Sequence, residues 1–224
     1  MISKRGRGEP FAYVVTPNTD HVVRLHHRRS DLWPVYRSAW MTLCDSRILA
    51  RLARLVGLAL PVVPGSDLTV DLFRNVIRDE DRIAILGGDD AMVAELCRKY
   101  GLTNVAHHNP PMGFVRETIE VARAIEFLIS AHARYSFIAV GSPQQEIIAY
   151  HVARSGAATG IGLCVGASLE FLIGRQIRAP RAVQWLGLEW MFRLISSPRR
   201  LWRRYLVEGP EIISVFTHWR QRLA

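Results

Sequence analysis

At 224 residues, with 49% of them apolar and 22% charged, the chain is long enough and apolar enough to bury a real core, which excludes a disordered polypeptide. The net charge of +9 is carried almost wholly by arginine, since Lys4 and Lys99 are the lysines, so the basic character is guanidinium, the group that grips phosphate oxygens in two-pronged fashion. Cys44, Cys97 and Cys164 are dispersed, odd in number and without metal spacing, so neither a disulfide framework nor a cysteine metal site is expected, and a reducing cytosol is the default.

The first ten residues, MISKRGRGEP, form a basic extension, and the apolar stretch after them breaks at Thr16-Pro17, so no secretory signal is expected. Candidate strands then follow in order: FAYVV (11–15), WMTLC (40–44), PVV (61–63), RIAIL (82–86), NVAHH (104–108), FIAV (137–140) and GIGLCV (160–165). Helical patterns lie between them, including ILARLARLVG (48–57), DDAMVAELCRKYG (89–101) and ETIEVARAIEFLISAHA (117–133). Continuous apolar strands alternating with helices predict an α/β fold: a Rossmann-like, mostly parallel sheet with helices on both faces. The weakly polar run 156–174 approaches membrane length, but its five glycines and Glu170 argue against a span.

Small and polar residues follow each candidate strand: Thr16-Pro17-Asn18, Asp45-Ser46, Gly65-Ser66-Asp67, Gly87-Gly88-Asp89, Asn109-Pro110-Pro111, Gly141-Ser142-Pro143 and Gly166-Ala167-Ser168. In parallel sheets ligands bind outside the carboxyl ends of the strands, where helix N-termini offer N–H groups to anions. Seven such turns predict a shared mouth, although strand-to-helix punctuation has the same composition. Asn109, Gly141 and Gly166 are candidate substrate contacts there.

In GSPQQE (141–146), Ser142 suits an N-cap, Pro143 a first helical position and Gln145 a capping box. The functional alternative has Gly141 admitting a ligand while Gln145 or Glu146 bonds a sugar or base. Asp45 either caps the helix at 48–57 or serves as a general base for a hydroxyl nucleophile, being ionised at neutral pH. Asp79-Glu80-Asp81 precedes its strand, at the end of the sheet away from the mouth, and reads as a solvated turn. His26-His27 and His107-His108 lack partners at metal spacing. GIGLCVG misses the dinucleotide fingerprint by one residue and no Walker loop is present, so a nucleotide-dependent oxidoreductase is a weak third reading.

Past residue 175 only helices are expected, at 182–195, 198–206 and 210–222, with a soft domain boundary near 190. Residues 175–224 hold ten arginines against Glu189, Glu208 and Glu211, which is +7 of the +9. Arg199-Arg200 and Arg203-Arg204 recur at i, i+4 and share a helix face, with Leu201, Trp202, Tyr205 and Leu206 supplying apolar surface. A basic, tryptophan-bearing amphipathic helix suits an anionic membrane surface. Nucleic-acid binding is the competing class, without a recognised motif to support it.

In sequence order, VVTPNTDHVVRL, CDS, LPVVPGSDL, HHNPPMGF, VGSPQQE, GLCVGASLEFLIGRQIRAP and GLEWMFRLISSPRRLWRRYL resemble the WecG/TagA/CpsF family of bacterial glycosyltransferases from about residue 11 to 215. The resemblance implies inverting transfer of a sugar from a UDP-sugar to a polyprenyl-diphosphate-linked acceptor at the cytoplasmic face of the membrane, in surface or exopolysaccharide synthesis, without a metal or other cofactor. It assigns Asp45 as base, Thr16 and Asn18 to a Thr-Pro-Asn motif, and Gln145 and Glu146 to a Pro-Lys-Gln-Glu motif. Arg193, Arg200, Arg203 and Arg204 would meet diphosphate and membrane. Domains 1–10 (basic extension), 11–190 (catalytic) and 191–224 (membrane-proximal appendage) follow, with nucleic acid not expected as a partner. Three departures stand out: Ser46 replaces the glycine after the aspartate, Gln144 replaces lysine, and Val62-Val63-Pro64 lack the arginine often found before the glycine matching Gly65.

Overall fold

The computed structural model describes residues 1–6, 8–176, 179–180, 183 and 188–221; the side chains of Glu189, Arg193, Arg200 and Arg204 also fall outside the described set. Two compact units are present. The first comprises 1–16, 34–42 and 65–176; the second comprises 17–33, 43–64 and 177–224.

The first unit carries a single sheet of six parallel strands: β1 (Ala12–Val15), β2 (Met41–Thr42), β3 (Ile83–Leu86), β4 (Val105–His108), β5 (Tyr135–Ile138) and β6 (Ile161–Cys164). The spatial order is β2-β1-β6-β5-β3-β4. Registers are continuous across the centre, with Val14 opposite Leu163, Phe137 opposite Leu163, and Ile85 opposite Phe137. The β1, β3, β5 and β6 strands are buried along their whole length because helices pack around the sheet, which is why they read as unbroken apolar runs. Around them run α4 (Gly65–Asp71), α5 (Asp90–Tyr100), α6 (Thr118–Ser130), α7 (Gln144–Ser155) and α8 (Ser168–Ile173). The α/β Rossmann-like class expected from the pattern is the class observed.

Three expected strands differ, and the one expected at 40–44 shortens to Met41–Thr42. Residues 61–63 make one isolated bridge, Val62 to Cys44, and do not join the sheet. Pro61 opens the segment and Pro64 follows it, and both lack the N–H that a ladder needs. The strand expected at 137–140 begins two residues earlier, because Tyr135 and Ser136, each 1% exposed, pair with Ile161 and Gly162 despite their polar groups.

The second unit is helical: α1 (Thr19–His27), α3 (Arg47–Arg54), α9 (Glu189–Ser196), α10 (Pro198–Trp202) and α11 (Glu211–Gln221), with α2 (Trp33–Arg37) bridging the sequence boundary. Helix α10 passes into a π-helical stretch at Arg203–Glu208, so the i, i+4 register expected for 199–204 is broken there. Residues 182 and 184–187 of the expected 182–195 helix lie outside the described residues. Val23 of α1 and Ile212 and Val215 of α11 form a buried cluster, joined by Val22 and by Leu49 and Leu52 of α3. Arg28 seals its edge, donating to Glu211 at 2.6 Å and lying 3.7 Å from Glu208.

Candidate functional site

In the first unit the carboxyl ends of β1, β6 and β5 bring Thr16, Gln145, Glu146 and Gly166 together. The Thr16 hydroxyl, at the end of β1, donates to the Cys164 carbonyl at 3.3 Å. Gly65 packs so closely that an added Cβ would stand 2.9 Å from that hydroxyl oxygen, which explains a glycine at this position. Gln145 is 4% exposed and Glu146 1% exposed, in the first turn of α7. The Gln145 amide is divided between two duties: its Oε1 accepts from the Gly166 N–H at 2.9 Å, and its Nε2 donates to Glu146 Oε1 at 2.8 Å.

This arrangement corrects the capping reading of GSPQQE. Pro143 occupies the N-cap position of α7 without a side-chain cap bond, so Ser142 is not the cap and Gln145 does not close a capping box. The Gln145 amide is instead a buried strap across the strand ends. Gly141 has a φ of +82°, and its carbonyl accepts from the Gln145 N–H at 2.9 Å. Burial pushes the Cys164 thiol well up, with the neighbouring Glu146 charge adding to the effect, so Cys164 is an unreactive core thiol. Burial of Tyr13, reinforced by Cys164, Tyr150 and Glu146, likewise raises its phenol.

At the far side of this sheet, Gly87 has a φ of +97°, and a Cβ there would meet the Ala139 carbonyl at 2.9 Å. Beside it, His107 bonds Asp90 at 3.0 Å and the Gly87 and Gly88 carbonyls at 3.2 Å, so that histidine is spent on structure. Asn109 is exposed just past β4. Asp89 caps α5 by accepting from Met92 N–H at 2.6 Å and pairs with Arg175 at 2.7 Å; the Arg175 hydrogen bond holds its carboxyl below the usual range.

The second unit holds Asn18 and Asp45. Asn18 is the N-cap of α1, accepting from Asp20 N–H at 3.0 Å and His21 N–H at 3.4 Å. The Asp45 N–H donates to the Pro17 carbonyl at 3.0 Å, which fixes Asp45 against the Thr-Pro-Asn turn. The cap of α3 is Ser46, whose hydroxyl accepts from Leu49 N–H at 3.2 Å and lies 2.9 Å from the Thr19 hydroxyl. Serine in place of glycine after the aspartate thus has a definite role, and the half-buried Asp45 is not the helix cap.

Of the tail arginines, Arg203 is exposed, with its Nε 3.9 Å from Glu208. The side chains of Arg193, Arg200 and Arg204 lie outside the described residues. A different group of arginines was not singled out from sequence: Arg47, Arg51 and Arg54 line a groove of about 290 Å³ with Ala50 and Val62. Their i, i+4, i+7 spacing was the available signal.

The acidic triplet requires a correction. Asp81 is 1% exposed rather than solvated, pairing with Arg134 at 2.9 Å and accepting from the Arg78 N–H at 3.0 Å. It pins the amino end of β3, so its function is structural. Among the described residues no group of three or more His, Cys, Asp and Glu side chains is placed to hold a metal ion, and no helix is long and apolar enough to cross a membrane.

A six-stranded parallel sheet with helices around it and a buried Gln-Glu pair at its strand ends defines a Rossmann-like protein. The chain belongs to the WecG/TagA/CpsF family of glycosyl transferases, whose family model matches residues 1–224. It is also similar to an N-acetylglucosaminyldiphosphoundecaprenol N-acetyl-beta-D-mannosaminyltransferase of Bacillus spizizenii, being 28% identical over 191 residues that span 83% of this chain and 72% of the relative.

Proposed function

We propose that this protein transfers a sugar, with inversion, from a UDP-sugar to a saccharide linked to a polyprenyl diphosphate, in the synthesis of a bacterial surface polysaccharide. The family supports the transferase class, and the name of the Bacillus relative supports both a hexosamine donor and a lipid-diphosphate acceptor. The observation that carries the residue assignment is the fixing of Asp45 against the Thr-Pro-Asn turn while Ser46 takes the capping duty.

In this reading the acceptor hydroxyl attacks the anomeric carbon from the face opposite the nucleotide. The new carbon–oxygen bond forms as the bond to the diphosphate breaks, and the hydroxyl proton passes to the Asp45 carboxylate. Charge developing on the departing UDP is stabilised by guanidinium groups and backbone N–H groups without a metal. Thr16, Asn109, Gly141, Gln145, Glu146 and Gly166 of the first unit, and Asn18 of the second, are each assigned to substrate binding, with the Gln145–Glu146 pair keeping the Gly166 turn in position. Within the proposed division, residues 11–190 carry the chemistry, and 191–224, with Arg193, Arg200, Arg203 and Arg204, attach to the anionic cytoplasmic membrane surface and its diphosphates.

The test is incubation with a panel of UDP-sugars and a short-chain lipid-diphosphate N-acetylglucosamine, with product mass and anomeric configuration measured. One added hexosamine of inverted configuration is expected, at a rate unaffected by chelator. Absence of product with every donor overturns the reading, and a chelator-sensitive rate overturns its metal-independent part.

A further inference from the structure

We infer that α3 and the turn after it form a second contact with an anionic bilayer, separate in sequence from the tail. Helix α3 reads RILARLAR, and its two faces differ sharply. Leu49 and Leu52 pack on the cluster of Val23, Ile212 and Val215. Arg47, Arg51 and Arg54 are exposed on the other face, with Ala50 and Val62 forming the apolar floor of the groove between them. The span from Arg47 to Arg54 is about 10 Å at the helical rise.

Such a stripe is electrostatically unfavourable by itself. Like charges at i, i+3 and i, i+4 repel, and Arg47 sits in the first turn, where the helix dipole disfavours a cation. No acidic residue occupies that turn, and among the described residues neither Arg47 nor Arg54 has a carboxylate partner. An external anion would relieve this arrangement.

The residues that follow identify the kind of anionic surface. Leu55, Leu58 and Leu60 are 75%, 51% and 43% exposed, in the sequence LVGLALP, which contains no charge. Gly57, with a φ of +79°, turns the chain, and the Leu58 N–H returns to the Ala53 carbonyl at 3.0 Å, so the leucines stand on a hydrogen-bonded turn. Three exposed arginines followed along the chain by three exposed leucines match the layered chemistry of a bilayer, in which phosphates lie above acyl chains. The partner is therefore a membrane surface containing anionic phospholipid, with the arginines at headgroup level and the leucines below it.

The experiment is co-sedimentation of the full chain with phosphatidylglycerol-containing vesicles and with phosphatidylcholine vesicles. The Leu55→Ser/Leu58→Ser/Leu60→Ser variant is expected to bind both types about 100-fold more weakly. The Arg47→Gln/Arg51→Gln/Arg54→Gln variant is expected to lose about 100-fold on the anionic vesicles and little on the neutral ones. Hydrogen exchange on the unmodified chain covers the case of a misfolded variant: anionic vesicles are expected to slow amide exchange at 55–60. Unchanged binding by the leucine variant, or unchanged exchange at 55–60, overturns the inference. So does a leucine variant that loses self-association in light scattering while keeping vesicle binding, which would make the surface an interface between copies. The contact does not depend on the catalytic assignment: lack of transfer to a short-chain acceptor by the unmodified chain, with vesicle binding intact, would defeat the transferase chemistry alone.

Discussion

Glu146 in the sheet unit and Asp45 in the helical unit are both carboxylates at the start of a helix, but they are used differently. Glu146 is 1% exposed, and one of its oxygens accepts from the buried amide of Gln145. Asp45 is half-buried, held through its backbone N–H, and relieved of capping by the serine that follows it. Glu146 is thus tied through its side chain, whereas the bond to Pro17 holds Asp45 by its main chain. In the proposed reading the Gln145–Glu146 pair is a rigid floor within the first unit, and Asp45, in the second, is the base.

The contrast is tested most severely at Asp45. Under the proposed assignment Asp45→Asn lowers turnover by at least about 100-fold while the thermal unfolding profile is retained; unchanged turnover would remove the base. Gln145→Leu, by comparison, is expected to act first on stability. It takes a partner from both the Gly166 N–H and the Glu146 carboxylate, and a urea titration should show a loss of about 1–3 kcal/mol. If it affects rate alone, the floor description fails. Ser46→Ala should cost about 1 kcal/mol, read from the same titration, with a smaller fall in rate as α3 loosens next to Asp45.

The smallest effect is expected at Asp89, which is exposed. The hydrogen bond from Arg175 holds its carboxyl below the ordinary range, so the stability it contributes is complete above that range and is lost only as pH falls through the depressed folded value. Acid titration followed by amide exchange at the start of α5 should flatten in Asp89→Asn. A loss of protection beginning near neutral pH would point to another group.

The central sheet was legible in sequence because β1, β3, β5 and β6 are buried along their length and carry no alternation to misread. The false strand at 61–63 had the same apolar character, and only Pro61 and Pro64 marked it. Gln145 was placed in the right motif with the wrong partner, since a capping box and a strap to Gly166 ask for the same side chain. Asp81 was misjudged because its acidic neighbours suggested solvent, whereas its partner Arg134 is 53 positions away. Leu49 and Leu52 marked an apolar helix face, but nothing local announced that Ile212 and Val215 would cover it. The arginine stripe was visible as a spacing, and the groove it lines depended on Val62 arriving by the Cys44 bridge.

The cluster that joins Val23, Leu49 and Ile212 also bears on biosynthesis. The helix beginning two residues after Asp45 has its apolar side covered by residues near position 215, so it stays unsupported on the ribosome until almost the entire polypeptide has emerged. Prematurely ended chains would retain every strand of the sheet and still lack the residues that cover the apolar side of α3.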